Sequence, residues 1–119
     1  MGANGILRVT LLVTGTNNAN AKTMRVRLGG ISGSQFFAAS IASTLTTRSQ
    51  IQIQNRNSQA SQVAHANATL NSFQSTSGGV FTATVDTSAA QDLVISGQLG
   101  TGTDTITLES YLVEILYKA

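Results

Sequence analysis

The tightest constraint on this chain is a two-residue alternation of apolar and polar side chains. Over 6–14, Leu7, Val9, Leu11 and Val13 alternate with Arg8, Thr10 and Thr14. Successive side chains of an extended chain point to opposite faces, so this spacing gathers four apolar groups on one side. The pattern returns at 23–28, where Met24, Val26 and Leu28 alternate with Arg25 and Arg27. It returns again at 45–55, where Ile51 and Ile53 alternate with Gln50, Gln52 and Gln54, and at 80–86, where Phe81, Ala83 and Val85 alternate with Thr82 and Thr84. No stretch sustains the 3.6-residue period of a helix. Such a chain folds as strands with one buried and one wet face.

Further strands are expected at 34–41, carrying Phe36 and Phe37, at 61–66, at 92–98, with Leu93 and Ile95 opposite Val94, and at 105–117. Gly15–Asn20, Gly29-Gly30, Arg56–Ala60, the Ser/Asn/Thr stretch 67–77 with Leu70 and Phe73, and Gly100–Asp104 read as connectors, because Gly and Asn tolerate turn conformations. About eight strands with turn-rich connectors and no helices indicate a two-sheet antiparallel sandwich. No Asn-Gly or Asp-Gly joins two obvious strands. Greek-key or jelly-roll crossing is therefore expected rather than a meander of tight hairpins. At 119 residues, one domain over 1–119 is the expectation.

The last strand differs from the rest. A regular strand over 105–117 places Ile106, Leu108, Leu112 and Leu116 on one face and Tyr111, Val113, Ile115 and Tyr117 on the other. From Tyr111 onward both faces are apolar apart from Glu114. A strand apolar on both faces is covered on both faces. A single small sandwich covers one, so the other is expected to meet a second chain or a long loop. Tyr111, Val113, Ile115 and Tyr117 are the candidate subunit interface, with the Leu108/Leu112/Leu116 face as the alternative.

Composition narrows the function classes. Charged residues make up 10% of the chain, against roughly 25% in an ordinary soluble domain. The surface is therefore built from hydroxyls and amides, which suits a protein outside cells or inside a large assembly. Seven cations and five anions leave a net charge of +2, and no basic run extends beyond Arg25 and Arg27. Nucleic-acid binding needs clustered cations and is not expected. There is no cysteine, hence no disulfide or thiolate chemistry. No apolar run approaches the roughly 18 residues of a membrane helix. Residues 1–5 lack the charged and apolar regions of a signal peptide, so an extracellular location would be reached by another route, such as lysis of a host cell.

Three segments carry a resemblance: Lys22–Gly30 (KTMRVRLGG), Gln52–Gln59 (QIQNRNSQ) and Thr105–Leu116 (TITLESYLVEIL). They resemble small jelly-roll proteins of tailed bacteriophages, which occur as capsid decoration proteins and as head domains of fibres and tailspikes, and which are similar in fold to trimeric domains of the tumour-necrosis-factor type. The resemblance covers most of the chain in order, and its motifs are structural. It implies a homotrimer on the virion surface, docked on another virion protein such as the capsid protein. The lack of an evident N-terminal shaft favours a free-standing decoration or head protein over a receptor- or glycan-binding tip domain, for which a host surface glycan would be the partner.

The polar inventory offers no convergent catalytic set, and no enzyme, cofactor or metal is expected. His65 is the only histidine, and a metal site around it would need carboxylates alone. It reads as a loop or strand-edge residue. Gly30-Ile31-Ser32-Gly33 falls one residue short of a nucleophile elbow. Asp86, Asp92 and Asp104 are scattered. Asp104, in Gly102-Thr103-Asp104-Thr105, resembles a calcium-loop residue, but such a site wants several carboxylates. Glu109 and Glu114 point to opposite faces of a regular strand and cannot act as a glycosidase pair without a bulge. They are expected to pair with Arg8, Arg25, Arg27 or Lys118. Arg25 and Arg27 share a face that could grip an acidic partner or form a solvent face, and the Gln50/Gln52/Gln54 row reads as a solvated face or a polar interface. The Asn67-Ala68-Thr69 triplet matches a glycosylation sequon, which is uninformative for a protein made in bacteria.

Overall fold

The computed structural model describes residues 1–65 and 78–119. The sequon and the 67–77 connector with Leu70 and Phe73 lie outside the described residues. Among those described there is no helix, and eight strands form an antiparallel β-sandwich: β1 (Ile6–Gly15), β2 (Lys22–Leu28), β3 (Ser34–Ser40), β4 (Thr46–Asn55), β5 (Gln62–Ala64), β6 (Phe81–Ala83), β7 (Leu93–Leu99) and β8 (Ile106–Leu116). One sheet has five strands in the order β6-β5-β4-β1-β8, and the other has three in the order β3-β2-β7. The pairings β1–β8 and β2–β7 nest, as when a chain folds back on itself, and β4 returns to lie beside β1.

The alternation sets which side chains face in. Leu7, Val9, Leu11 and Val13 of β1, Met24, Val26 and Leu28 of β2, and Ile51 and Ile53 of β4 are all buried and form one core. Phe36 and Phe37 are both buried although they are neighbours, because β3 is bulged: Val26 pairs with Phe37 and Arg27 with Gln35, leaving Phe36 as the extra residue. Phe36 then meets Phe81 of the other sheet edge-to-face, with ring centroids 5.1 Å apart, and closes the sandwich on the β3/β6 side. The β2–β3 turn needs no Asn-Gly, since Gly29 and Gly30 hold φ of 94° and 90°.

Two expected strands are shorter than their alternation. The segment 80–86 pairs only over β6, because the side chain of Gln62 takes the place of a neighbouring strand. Its Oε1 accepts from the Val85 N–H at 2.8 Å and its Nε2 donates to the Val85 carbonyl at 2.9 Å. Likewise only Gln62–Ala64 of 61–66 are paired, and Ala66 lies outside the described residues.

The phase of the last strand is corrected. Leu12 pairs with Ser110, but Val13 pairs with Leu108, so Glu109 is an inserted bulge residue. The extra residue reverses the alternation. Ile106 and Leu108 therefore lie on the same face as Tyr111, Val113 and Ile115, not with Leu112 and Leu116.

Candidate assembly interface

β8 is held firmly in place. It pairs with β1 from Ile6↔Leu116 to Gly15↔Ile106. At its start, the 100–105 loop is anchored by a buried polar cluster. Lys22 is fully buried, and its Nζ donates to Asn18 Oδ1 and to the Asn20 carbonyl, each at 2.9 Å, and lies 4.0 Å from Asp104 Oδ2. Asn18 Nδ2 donates to Asp104 Oδ1 at 2.7 Å. These hydrogen bonds, from Asn18 first and Asn20 next, hold the Asp104 carboxyl below the usual carboxylate range, with the Lys22 charge adding to them. Of the two oxygens that a cation at Asp104 would use, Oδ1 is taken by Asn18 and Oδ2 faces the lysine ammonium. At the far end, Asn4 donates its backbone N–H to the Lys118 carbonyl at 3.0 Å and its Nδ2 to the Ala119 carbonyl at 2.8 Å.

In spite of this anchoring, the side chains of β8 beyond Ile106 are exposed. Register places Tyr111, Val113 and Ile115 beside the buried Leu11, Val9 and Leu7, on the inner side of the large sheet. Yet Tyr111 is 66% exposed, Val113 38% and Ile115 64%, and Tyr117, just past the strand end, is 73% exposed. The cause is the mismatch of the sheets. A three-stranded layer does not extend over the outermost strand of a five-stranded one. At the Ile106 end β8 reaches β7, where a Cβ on Gly97 would come within 2.9 Å of Ile106 Cγ2. Toward Ile115 the sheets part. An apolar groove opens there between Leu93 and Leu28 on one side and Leu7, Val113 and Ile115 on the other, with Met1 also lining it. The sandwich is thus closed at β3/β6 and open as a mouth at β7/β8.

The outer face of β8 bears Leu112, Glu114 and Leu116 beside Thr10, Arg8 and Ile6. Glu114 pairs with Arg8 at 3.7 Å, and Glu109 accepts from the Thr14 hydroxyl. The bulge therefore brings both carboxylates to the outer face, where a regular strand would separate them. Their backbones remain roughly 15 Å apart along the strand, too far for paired carboxylates that flank one glycosidic bond.

The remaining sequence candidates do not converge on this site. His65 is exposed at the end of β5. Arg25 and Arg27 lie on the outer face of the small sheet. Arg27 donates to Gln35 Oε1 at 3.0 Å and to Ser96 Oγ at 3.5 Å; of the cations named as partners for Glu109 and Glu114, Arg8 is found paired, with Glu114. Gln50, Gln52 and Gln54 line the outer face of the large sheet, with Gln50 Nε2 donating to Thr10 Oγ1 at 3.3 Å. Asp86 is exposed, and its carboxyl lies below the usual range because the Ser88 hydroxyl and N–H donate to it. No cluster of metal-ligating side chains occurs among the described residues.

Sequence reasoning missed two buried polar groups. One is the Lys22 cluster. The other is at the opposite end, where Asn55 Nδ2 donates to the Gly2 carbonyl and to Thr87 Oγ1, and Asn55 Oδ1 accepts from Gln62 Nε2, each at 2.8 Å. A signal was present in both cases. Lys22 shares the phase of Met24, Val26 and Leu28, and Asn55 that of Ile51 and Ile53.

No protein-family model, no curated protein and no solved structure matches this chain.

Proposed function

We propose that this chain is a structural protein of a bacteriophage particle, a capsid decoration or head surface protein that assembles as a homotrimer on the virion surface and docks on another virion protein such as the capsid protein. Its role is architectural and requires no catalysis. The observation that carries self-assembly is the exposed inner face of β8. Leu108, Tyr111, Val113 and Ile115 lie side by side and are 41%, 66%, 38% and 64% exposed, and a contiguous apolar patch of this kind often marks an interaction surface. Three-fold closure and the phage particle are supported by the resemblance of 22–30, 52–59 and 105–116, and the low charge content fits a surface inside an assembly.

Light scattering on the purified protein should give about 37 kDa, three times the 12.4 kDa chain. A folded monomer at micromolar concentration would remove the self-assembly reading. Antibody labelling of the particle should decorate the head. Label on the tail alone would favour a second reading, a receptor- or glycan-binding tip domain. The exposed rings of Tyr111 and Tyr117 support that reading as stacking platforms, and binding to a defined glycan that is lost on Tyr111→Ala would establish it.

A further inference from the structure

β8 is the outermost strand of the five-stranded sheet and the longest strand among the described residues. An edge strand is bonded on one side only. In an antiparallel ladder the N–H and C=O of one residue point to the same side, and successive residues alternate. The bonds flanking β8 set its phase. The Lys118 carbonyl accepts from the Asn4 N–H, so it points to the β1 side. Counting back, Leu116, Glu114 and Leu112 bond to β1, opposite Ile6, Arg8 and Thr10. β1 agrees, since Gly5 and Gly15 bond toward the β4 side and leave those three residues for β8. The same count turns the N–H and C=O groups of Tyr111, Val113 and Ile115 away from the sheet. No partner for them occurs among the described residues.

An open row of this kind is a template for another strand, and proteins guard it with proline, lysine, a short edge or a bulge. The chain has no proline, and 106–116 holds no lysine. Its one guard, the Glu109 bulge, lies before the open row. The other edges are better protected. β6 has three residues, β3 is bulged, and β7 contains Gly97.

We propose that the β8 edge takes up an extended segment of the virion protein on which this chain docks, as an added strand beside 111–115; the inference rests on the docking and three-fold parts of the reading above. A strand matches the row because its backbone offers donors and acceptors at the same repeat. Its alternate side chains would lie on both faces of the sheet, next to Tyr111, Val113 and Ile115 on one and Leu112 and Leu116 on the other. The chemistry called for is therefore a segment apolar on both faces. Glu114, between the outer leucines, already faces Arg8 and asks for no cation. A second copy is disfavoured as the occupant. Two β8 edges pair with each other only about a two-fold axis, so in a three-fold assembly each copy keeps its edge free.

Hydrogen exchange tests this without a substitution. The isotope-labelled protein is bound to phage particles stripped of it, held in deuterated buffer, released under quench and read by NMR. In the free protein the amides of Leu112, Glu114 and Leu116 should be protected, and those of Tyr111, Val113 and Ile115 should exchange fast. On the particle the latter three should slow by roughly a hundredfold or more. Protection of these three already in the free protein means that another copy holds the edge, and it overturns the proposal. Fast exchange at all three while the protein sits on the particle overturns it too, and leaves docking standing. Failure of the wild type to bind the particle removes the docking reading and the proposal together.

Discussion

Asn55 and Lys22 show how single polar residues fix the two ends of this sandwich. Asn55 is fully buried and uses its amide three times, toward Gly2, Thr87 and Gln62. A buried polar group that loses its partner keeps its desolvation penalty. Asn55→Ala removes three buried hydrogen bonds, although Gly2, Thr87 and Gln62 each keep another partner, and at about 1 kcal/mol per bond it should destabilise by roughly 2–3 kcal/mol, seen as a lower urea midpoint at unchanged slope. Asp104 supplies a pH dependence. Its folded pKa is lowered by the Asn18 hydrogen bond first, so its contribution to stability is present above the unfolded carboxylate value of about 3.9 and is lost as pH falls through the folded value. The thermal midpoint of the wild type should therefore drop below about pH 4. Asp104→Asn should be less stable than the wild type at neutral pH, because Lys22 loses its counter-charge, and should show a shallower drop in acid. Equal acid slopes for the two proteins would contradict this role. That Lys22 and Asn55 are buried was legible in their phase. Their partners were not, because Asn18 with Asp104, and Gln62 with Val85, meet only when distant segments are folded together.

At the scale of the element, strands and their buried faces could be read almost residue by residue wherever the ladder is regular, as in β1, β2 and β4. Reading failed at the bulges. Phe36 and Glu109 are each an unpaired extra residue, and nothing local in the sequence marks either position. A bulge exists because the paired strand requires it, so it is a tertiary fact. Its consequence is large. Were Glu109 paired in a regular ladder instead, Ile106 and Leu108 would turn to the outer face, and Ile106 would leave its contact with Gly97. Deletion of Glu109 joins Leu108, opposite Val13, directly to Ser110, so both apolar side chains keep the inner face and the fold should lose less than about 1 kcal/mol. Glu109→Ala, which keeps the bulge and removes only an exposed hydrogen bond to Thr14, should likewise cost less than about 1 kcal/mol. Denaturant unfolding of the two variants side by side checks this. A loss of about 2 kcal/mol or more on deletion alone, the scale of exposing one large aliphatic side chain, would show that the inserted backbone unit itself is needed.

For the whole molecule, the deciding feature is the inequality of the two sheets. Alternation specifies which face of each strand is apolar, but not how many strands lie opposite it. The double apolar face of β8 was visible in the sequence; the mouth was not, since it arises from five strands facing three. A core left open on one side makes stability depend on what covers it. If another copy does, folding and association are linked, and the thermal midpoint must rise with protein concentration. Ile115 isolates this effect. At 64% exposed, it contributes little to the core of its own chain, and a charge placed there remains hydrated in the monomer. In the assembled protein the same charge would be buried without a partner, at a penalty greater than the apolar contact it replaces. Ile115→Asp should therefore keep a cooperative transition whose midpoint no longer moves with concentration. Val113→Asp should do worse. Val113 is 38% exposed and stands beside the fully buried Val9, so a carboxylate there disturbs the chain's own core as well as the contact. Differential scanning fluorimetry over a hundredfold concentration range separates the outcomes. A wild-type midpoint that is flat across that range would mean that the mouth stays open in solution, and that β8 is covered only on the particle or not at all.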